Sequence, residues 1–538
     1  MSITAGRTTE EAPPPQPSNL VNMQQTSSSP VTSPQIGATP TGDFGSRRKF
    51  YINFAEHLQN AYNPNMLYPG LPNRWSDAEW FGCIDFAAAC GYNVFEFWFV
   101  PRLFCREALT ADFAREFTRQ MNAVIDHAHS RGVGVSFLCS LATVGDAWQT
   151  LCPNDPAEWA EIQFLWDAWL QRFPGIDIIN IFPGDPGACS RNGCTAETYI
   201  DRALDIARIA RKHQPKVEIE LGTWGAPFFG WGTIQGPPDW KGEFIQSYQH
   251  TAWTFDLERA ENSMRHLIKR LPEFPDPTCV ALNMGFNPDG NPVGDGTYTG
   301  GGQGQDARPW VHEIARTHRV LTWDFSLTEG ENAVIPHWRF ERLFQRRREE
   351  RAGAPYSGGI CFTMTPRLNQ LSIYMAAQSF IQPDADPDTV AGDFLAEVFG
   401  PEGRELVPLL PLFEVIRDWG NYHDIKLPRA EYHAKMRRMA DLLESFAGKE
   451  RDTFPIFPSP AAWRLELLFF ANLFADLSAP APDYDALHER YWQHVYAIYD
   501  HLPEHVDPRP HQATTAIINH FRNLEQPVDA GPIPGKWQ

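Results

Sequence analysis

Residues 174–187 read PGIDIINIFPGDPG, a short β-branched run that starts after one Pro-Gly pair and stops against a Pro-Gly-Asp-Pro-Gly cluster. Ile176 to Phe182 has the length and composition of a buried strand. The cluster after it can continue neither a strand nor a helix. Upstream lies a helical pattern from Ala157 to Phe173. Downstream lie a second helix, Thr195 to His213, and a second strand, Lys216 to Trp224 (KVEIELGTW). Alternation of this kind is the signature of a parallel α/β sheet.

Working outward, the same unit recurs. Strand one is Lys49 to Phe54 (KFYINF), followed by a helix from Ser76 to Cys90 that Ser76 and Glu79 cap and Gly91 ends. Strand two is Tyr92 to Phe99, then a helix from Thr110 to Arg131 stops at Gly132 and strand three runs from Val133 to Leu141. After strand five come a long aromatic loop to Thr254, a helix from Phe255 to Leu271, strand six at Cys279 to Met284, a Gly-rich loop to Asp306 and a short helix that leads into strand seven. Strand seven is Arg319 to Phe325, its helix His337 to Arg351, strand eight Gly358 to Met364, and Leu371 to Phe380 closes the cycle. Eight strand and helix pairs in order predict a (β/α)8 TIM barrel of the α/β class. The rival, a doubly wound open sheet, wants a Gly-rich dinucleotide fingerprint after its first strand, and LQNAYNPNMLYPG is not one.

Beyond Ile381 the expectation is that strands stop. Amphipathic patterns at Ala391 to Phe399, Glu405 to Trp419, Arg429 to Ala447, Ala461 to Leu477 and Tyr484 to His501 predict a helical C-terminal domain. The expected division is a disordered tail over 1–46, a catalytic barrel over 47–382, helices over 383–526 and a second tail over 527–538. The first tail is rich in Pro, Ser, Thr and Gln and lacks the apolar stretch of a secretory signal. No run of ~18 apolar residues suggests a membrane span. A cytoplasmic location is therefore expected, with export by an unrecognised route left open.

The 538 residues are 43% hydrophobic and 21% charged, an ordinary globular mix with ample material for a large core. A net charge of -20 speaks against nucleic-acid or anionic-membrane partners, which would repel the chain. Eighteen Trp residues suit both core packing and stacking on sugar faces. The nine Cys lack the spacing of a disulfide-stapled secreted domain and read mostly as free buried thiols.

Catalytic groups of such barrels project from the carboxyl ends of strands. Asp185, in FPGDPG after strand four, is the leading acid candidate. Strand seven ends in Trp323-Asp324 and continues as SLTEGENAVIPH, so Asp324, Glu329, Glu331 and His337 fall within reach of the mouth, Asp324 and Glu329 better placed than Glu331. Strand two offers Glu96, Trp98 and Arg102, and strand five offers Glu220 and Trp224, for substrate hydroxyls and a ring face. Glu218 and Glu220 share one face by the period of two, and an inward Glu220 is either functional or buried in an ion pair. Two carboxyl groups across one cleft suit glycosidic bond cleavage.

Cys189 and Cys194 flank SRNG just after Asp185. Buried thiols are the favoured reading, ahead of a local bridge and of two thiolates on a metal. A zinc site needs further Cys or His, and neither Cys152 nor His213 is assigned from its place in the chain. No metal site or cofactor is implied. The Gly-rich stretch from Asn287 to Gly304 has no Lys-Ser/Thr of a phosphate loop and reads as a mobile rim.

The segments LCPNDPAEW, FPGID, IINIF and PGDPGACSRNGC resemble the barrel of α-glucuronidases and of the wider β-hexosaminidase-like glycoside hydrolase superfamily. The resemblance implies that the acidic residue ending strand four, Asp185, is the general acid. It also implies a helical domain after the barrel. The chain departs from it in lacking the N-terminal β-sandwich usual in α-glucuronidases and in having a lone Asp where hexosaminidases carry an Asp-Glu pair.

The expected activity is therefore glycoside hydrolysis of a terminal sugar or oligosaccharide, with Asp185 as acid and Asp324 or Glu329 as base or nucleophile. The expected partner is a carbohydrate substrate; assembly as a homo-oligomer is left open. The rivals are a sugar or uronate lyase or isomerase, and a non-catalytic carbohydrate-binding barrel that keeps Trp98, Trp224 and Trp323 as stacking platforms.

Overall fold

The computed structural model describes residues 44–52, 75–99, 103–145, 149–183, 189, 191–223, 257–282, 308–323, 336, 338, 340–363, 366–413, 416–418, 421–422 and 427–498. Residues 1–43 of the first expected tail, the whole of the second, the Gly-rich stretch and most strand-seven loop residues lie outside them; Phe44 to Ser46 are described, with Phe44 against Phe380 at 5.7 Å.

Eight parallel strands close into one barrel in chain order: β1 Arg47–Ile52, β2 Val94–Phe99, β3 Gly134–Ser140, β4 Ile178–Phe182, β5 Glu218–Gly222, β6 Thr278–Leu282, β7 Arg319–Trp323 and β8 Gly358–Thr363. Every strand pairs with the next, and β8 returns to β1 with Gly358 opposite Arg47. The helices between and after them are α1 Asp77–Cys90, α2 Asp112–Ser130, α3 Pro156–Leu170, α4 Ala196–His213, α5 Leu257–Arg270, α6 Arg308–Ile314, α7 Phe340–Gly353 and α8 Gln370–Ile381. The (β/α)8 expectation holds.

Strand and helix faces explain the sequence pattern. Parallel strands covered by helices are buried on both sides, so β2 (VFEFWF) shows no exposed position. Its outward residues Phe97 and Phe99 meet Phe137 of β3, Trp169 of α3 and Phe173 just after it, with ring centroids 4.1 Å apart for Phe97 and Phe137 and 4.7 Å for Phe99 and Trp169. Each such ring, once buried, contributes ~1.5–3 kcal/mol. The intervening Glu96 and Trp98 therefore face the barrel interior. Helix ends obey local chemistry: Ser76 and Glu79 form a reciprocal capping box at α1, and Gly91 ends it at φ 97°.

After α8 the chain adds α9 Pro387–Phe399, α10 Arg429–Ser445, α11 Pro460–Leu477 and α12 Tyr484–Ile498. Two expectations are corrected here. The amphipathic pattern from Glu405 to Trp419 is not an α-helix: Pro401–Phe413 is a 3-10 run, because Pro408 and Pro411 lack the N–H groups that α bonding needs. Strands also do not stop at Ile381, since Ile416–Asp418 pairs antiparallel with Asn421–Tyr422. These later helices share a core with the barrel layer. Trp75 and Phe86 pack on Phe457 at 5.8 and 5.5 Å, and the Trp463 indole donates to the Leu368 carbonyl at 2.9 Å.

Candidate active site

The carboxyl ends of the strands form one rim. On its inner side Tyr51 of β1 meets Phe362 of β8 at 5.1 Å, and Trp98 of β2 meets Phe182 of β4 edge-on at 6.3 Å. Ser140, the last residue of β3, shares its inward face with Ser136 by the period of two. The Ser140 hydroxyl is buried and has no hydrogen-bond partner among the described residues. Beneath the ends of β4 and β5, the Tyr199 hydroxyl of α4 donates to the carbonyl of Ile181 at 2.6 Å and lies 3.2 Å from that of Gly222. One helix side chain thus locks together the two strand ends that lead to Asp185 and Trp224.

In the chain, Asp185 comes three positions after the end of β4, Trp224 two after β5, Asp324 one after β7 and Arg102 three after β2. Asp185, Arg102, Trp224, Asp324, Glu329, Glu331 and His337 themselves lie outside the described residues, as does the side chain of Trp323. The structure places Glu96, Trp98 and Glu220 of the expected set. Trp98 is at the rim. Glu96 and Glu220 lie deeper and are fully buried.

These two glutamates belong to a polar network across the middle of the barrel. The Lys49 ammonium of β1 binds the Glu96 carboxylate and, at 2.7 Å, the Glu220 carboxylate. Asn180 of β4 donates to both, at 3.1 Å to Glu96 and 2.7 Å to Glu220, and Ser136 donates to Glu96 at 2.6 Å. The Cys279 thiol of β6 adds a contact to the other Glu220 oxygen at 3.5 Å. Burial pulls the Lys49 pKa down, but Glu220 and Glu96 more than offset it and leave it raised. Burial and the neighbouring Glu96 charge push the Glu220 carboxyl up against the pull of Lys49. One cation thus stands between two buried carboxyls, and of the forces on Glu220 burial is the largest, so its charged form is disfavoured relative to an ordinary glutamate.

A second layer lies nearer the amino ends of the strands. Glu218 accepts from Arg47 at 2.9 Å and from Arg319 at 3.3 Å. Burial raises the Glu218 carboxyl, and the two guanidinium groups, Arg47 foremost, bring it below the ordinary glutamate value. Two inward glutamates one period apart on β5 are thus held in opposite ways by what each faces.

Outside the barrel, Cys189 and Cys194 meet a third thiol. Strands β3 and β4 are neighbours, so the segments after them run side by side, and the Cys152 sulfur lies 3.6 Å from that of Cys194. The three sulfurs lie within 4.8 Å of one another and are all buried. The hydrogen bond with Cys194 is the main pull on Cys189, whose thiol is held below the ordinary cysteine value, while the same bond pushes Cys194 up.

No protein-family model matches the chain, and no curated protein matches it. Solved structures do resemble it. A mutant of an O-GlcNAc hydrolase from Thermobaculum terrenum aligns over 84% of this chain and 92% of its own, at 14% identity and a TM-score of 0.44. A GH138 enzyme targeting pectin rhamnogalacturonan II aligns over 90% of this chain and 67% of its own, at 8% identity and a TM-score of 0.49. The similarity is one of fold and goes no further than architecture. The α-glucuronidase and hexosaminidase families suggested by the sequence are not matched as families.

Reading the sequence for sites missed Lys49, Ser136, Asn180 and Ser140. A signal for Lys49 was present: Arg47 and Lys49 stand two apart in RRKFYI, which turns both charges to one face of a buried strand. No signal marks Ser140, whose interest lies in an unanswered hydroxyl.

Proposed function

We propose that this chain is a glycoside hydrolase in which Asp185 is the general acid and Asp324 or Glu329 the base or nucleophile. The observation that supports it most is topological. Asp185 and Asp324 follow the ends of β4 and β7 in the chain by three positions and one, and those two strand ends lie on the same rim of one closed parallel barrel. Barrel enzymes draw their catalytic groups from that rim, from the ends of different strands. Two carboxyl groups there can divide the labour of acetal cleavage. One protonates the departing oxygen; the other attacks carbon or activates water. Trp98 and Ser140, both buried at the inner carboxyl ends of β2 and β3, are the ring face and the hydroxyl that this reading assigns to the substrate. Glu96 and Glu220 support the site from below by fixing β1, β2, β4 and β5 relative to one another, a positioning role in place of substrate contact.

The test is turnover of aryl glycosides and oligosaccharides, uronides included, by the parent and by Asp185→Asn. A lost general acid costs about 10²–10⁴-fold. The loss falls hardest on oligosaccharides, whose leaving alcohols need the proton, and less on aryl glycosides with acidic phenols. Nuclear magnetic resonance of the first anomer released assigns retention or inversion. Equal rates for Asp185→Asn and the parent would remove the acid assignment. Sugar binding without cleavage by the parent would make the chain a binding barrel.

A further inference from the structure

We propose that Cys152, Cys189 and Cys194 bind one zinc ion as three thiolates, with the fourth tetrahedral position left to water or an external donor. The geometry suits a shared cation. Two sulfurs each ~2.3 Å from a tetrahedral zinc stand about 3.8 Å apart, and Cys152 and Cys194 stand 3.6 Å apart. A direct bridge between them would need the sulfurs to close to about 2.05 Å, and it would leave the third buried thiol facing a disulfide.

Two donors point at the sulfurs, beside the contacts of the Cys152 and Cys189 sulfurs with the Arg191 carbonyl at 3.7 and 4.0 Å. The Arg191 backbone N–H points at the Cys189 sulfur at 3.2 Å, and the Asn192 amide donates to the Cys152 sulfur at 3.4 Å. Donors of this type offset charge on sulfur and orient it. Asn192 and Gly193 both take left-handed backbone, at φ 51° and 69°, which folds the short loop so that Cys194 returns to Cys189. Arg191 also reaches Glu158 at 2.6 Å and the Thr150 carbonyl at 3.0 Å, so the loop after β4 is braced against the segment that holds Cys152. Soft thiolates select zinc, copper(I) or iron-sulfur clusters among biological metals, and zinc alone among these asks for no redox partner. Each thiol surrenders its proton to the buffer as its sulfur binds. The ion would hold the loop that begins just after β4 to the loop after β3, four residues beyond Asp185. The site stands whether or not the hydrolase reading does, because its readout is metal and not turnover.

The full chain is purified in reductant, stripped with a chelator, exposed to zinc and dialysed. Metal is then counted by plasma mass spectrometry. The expected result is about one zinc per chain, and cobalt in its place gives a thiolate-to-metal charge-transfer band in the near ultraviolet. Cys152→Ser and Cys194→Ser lose the band and lower zinc affinity by at least ~100-fold, Asn192→Gly lowers it by about 10-fold, and Cys105→Ser leaves it unchanged. The parent protein alone can overturn the proposal. Failure to retain zinc after reduction, retention of copper or iron in its place, or an isolated mass showing a disulfide among these cysteines would each do so. Full zinc affinity in Cys152→Ser would equally refute the ligand set.

Discussion

Replacing Lys49 by Met removes the only positive charge that touches both Glu96 and Glu220 among the described residues. The methionine fills nearly the same volume, so packing changes little and the effect is electrostatic. Two buried carboxyls then share Asn180 and Ser136 as donors and have no cation. Breaking a buried ion pair from one side costs about 3–5 kcal/mol, a large part of the ~5–15 kcal/mol that holds a domain folded. Glu220→Gln should cost less than Lys49→Met, because burial and the Glu96 charge already disfavour the charged form of Glu220. The pH dependence separates the two. A carboxyl raised in the folded state binds its proton more tightly there than in the unfolded chain. Its stabilising contribution is complete below the ordinary glutamate value and is lost as pH rises through the folded value. Urea unfolding followed by tryptophan fluorescence at pH 5 and pH 8 should show the parent losing stability with rising pH more steeply than Glu220→Gln. The Lys49→Met, Glu96→Gln, Glu220→Gln triple variant should recover part of the Lys49→Met loss, since no charge is left unpaired. A Glu220→Gln cost equal to that of Lys49→Met would mean that both carboxyls are ionised and would refute the reasoning.

Three further outcomes follow from other parts of the molecule. Burial pushes Glu466 up to about 7, against a weak pull from Arg367 at 3.9 Å. Its ionisation therefore opposes folding as pH rises from about 4.5 to about 7, by on the order of 3 kcal/mol, and Glu466→Gln should gain stability over the parent at pH 8 but not at pH 4; superimposable unfolding curves at both would exclude this. A methyl group at Gly358, which has φ 153°, would stand 1.7 Å from the Arg47 carbonyl where β8 meets β1, so Gly358→Ala should destabilise by ~3 kcal/mol or more or prevent soluble expression. Ser140→Ala should raise KM for a cleaved sugar about 3–10-fold with little change in kcat, the worth of one neutral hydrogen bond; unchanged KM would remove Ser140 from the substrate contacts.

The barrel was legible because its evidence is local. Most strands are short apolar runs, several closed by Gly, Pro or Asp, and some helices carry their own cap, as Ser76 with Glu79 and Thr195 with Thr198 do. Element ends shifted by up to four residues, as at Pro387 against the expected Ala391, since fraying is set by contacts that a linear pattern does not record. The stretch from Glu405 misled for a stated reason: its apolar spacing fits a helix, but Pro408 and Pro411 break the bonding that the spacing presupposes. The two-residue strand at Asn421–Tyr422 is too short to leave a period at all.

Chemistry was less legible, because it depends on pairs made by closure of the barrel. The period of two turned Glu220 inward and required a partner for it, yet Lys49 stands 171 residues away in the chain and meets it only across the lumen. Cys152 and Cys194 are likewise 42 residues apart, and spacing rules for metal motifs look for ligands within a few residues of one another. What joins them is the adjacency of β3 and β4, which sets the segments after those strands beside each other whatever the intervening helix. The same adjacency governs the rim, where each strand delivers the residue that follows it. A sequence therefore yields its barrel before its site, and topology converts the first into the second: once strand order is known, every polar residue just beyond a strand end has an assigned neighbour on either side. For the segment that leaves β4 those neighbours are the segments that leave β3 and β5, and the described part of that set already shows the rule at work: Cys152, after β3, meets Cys194, after β4, at 3.6 Å.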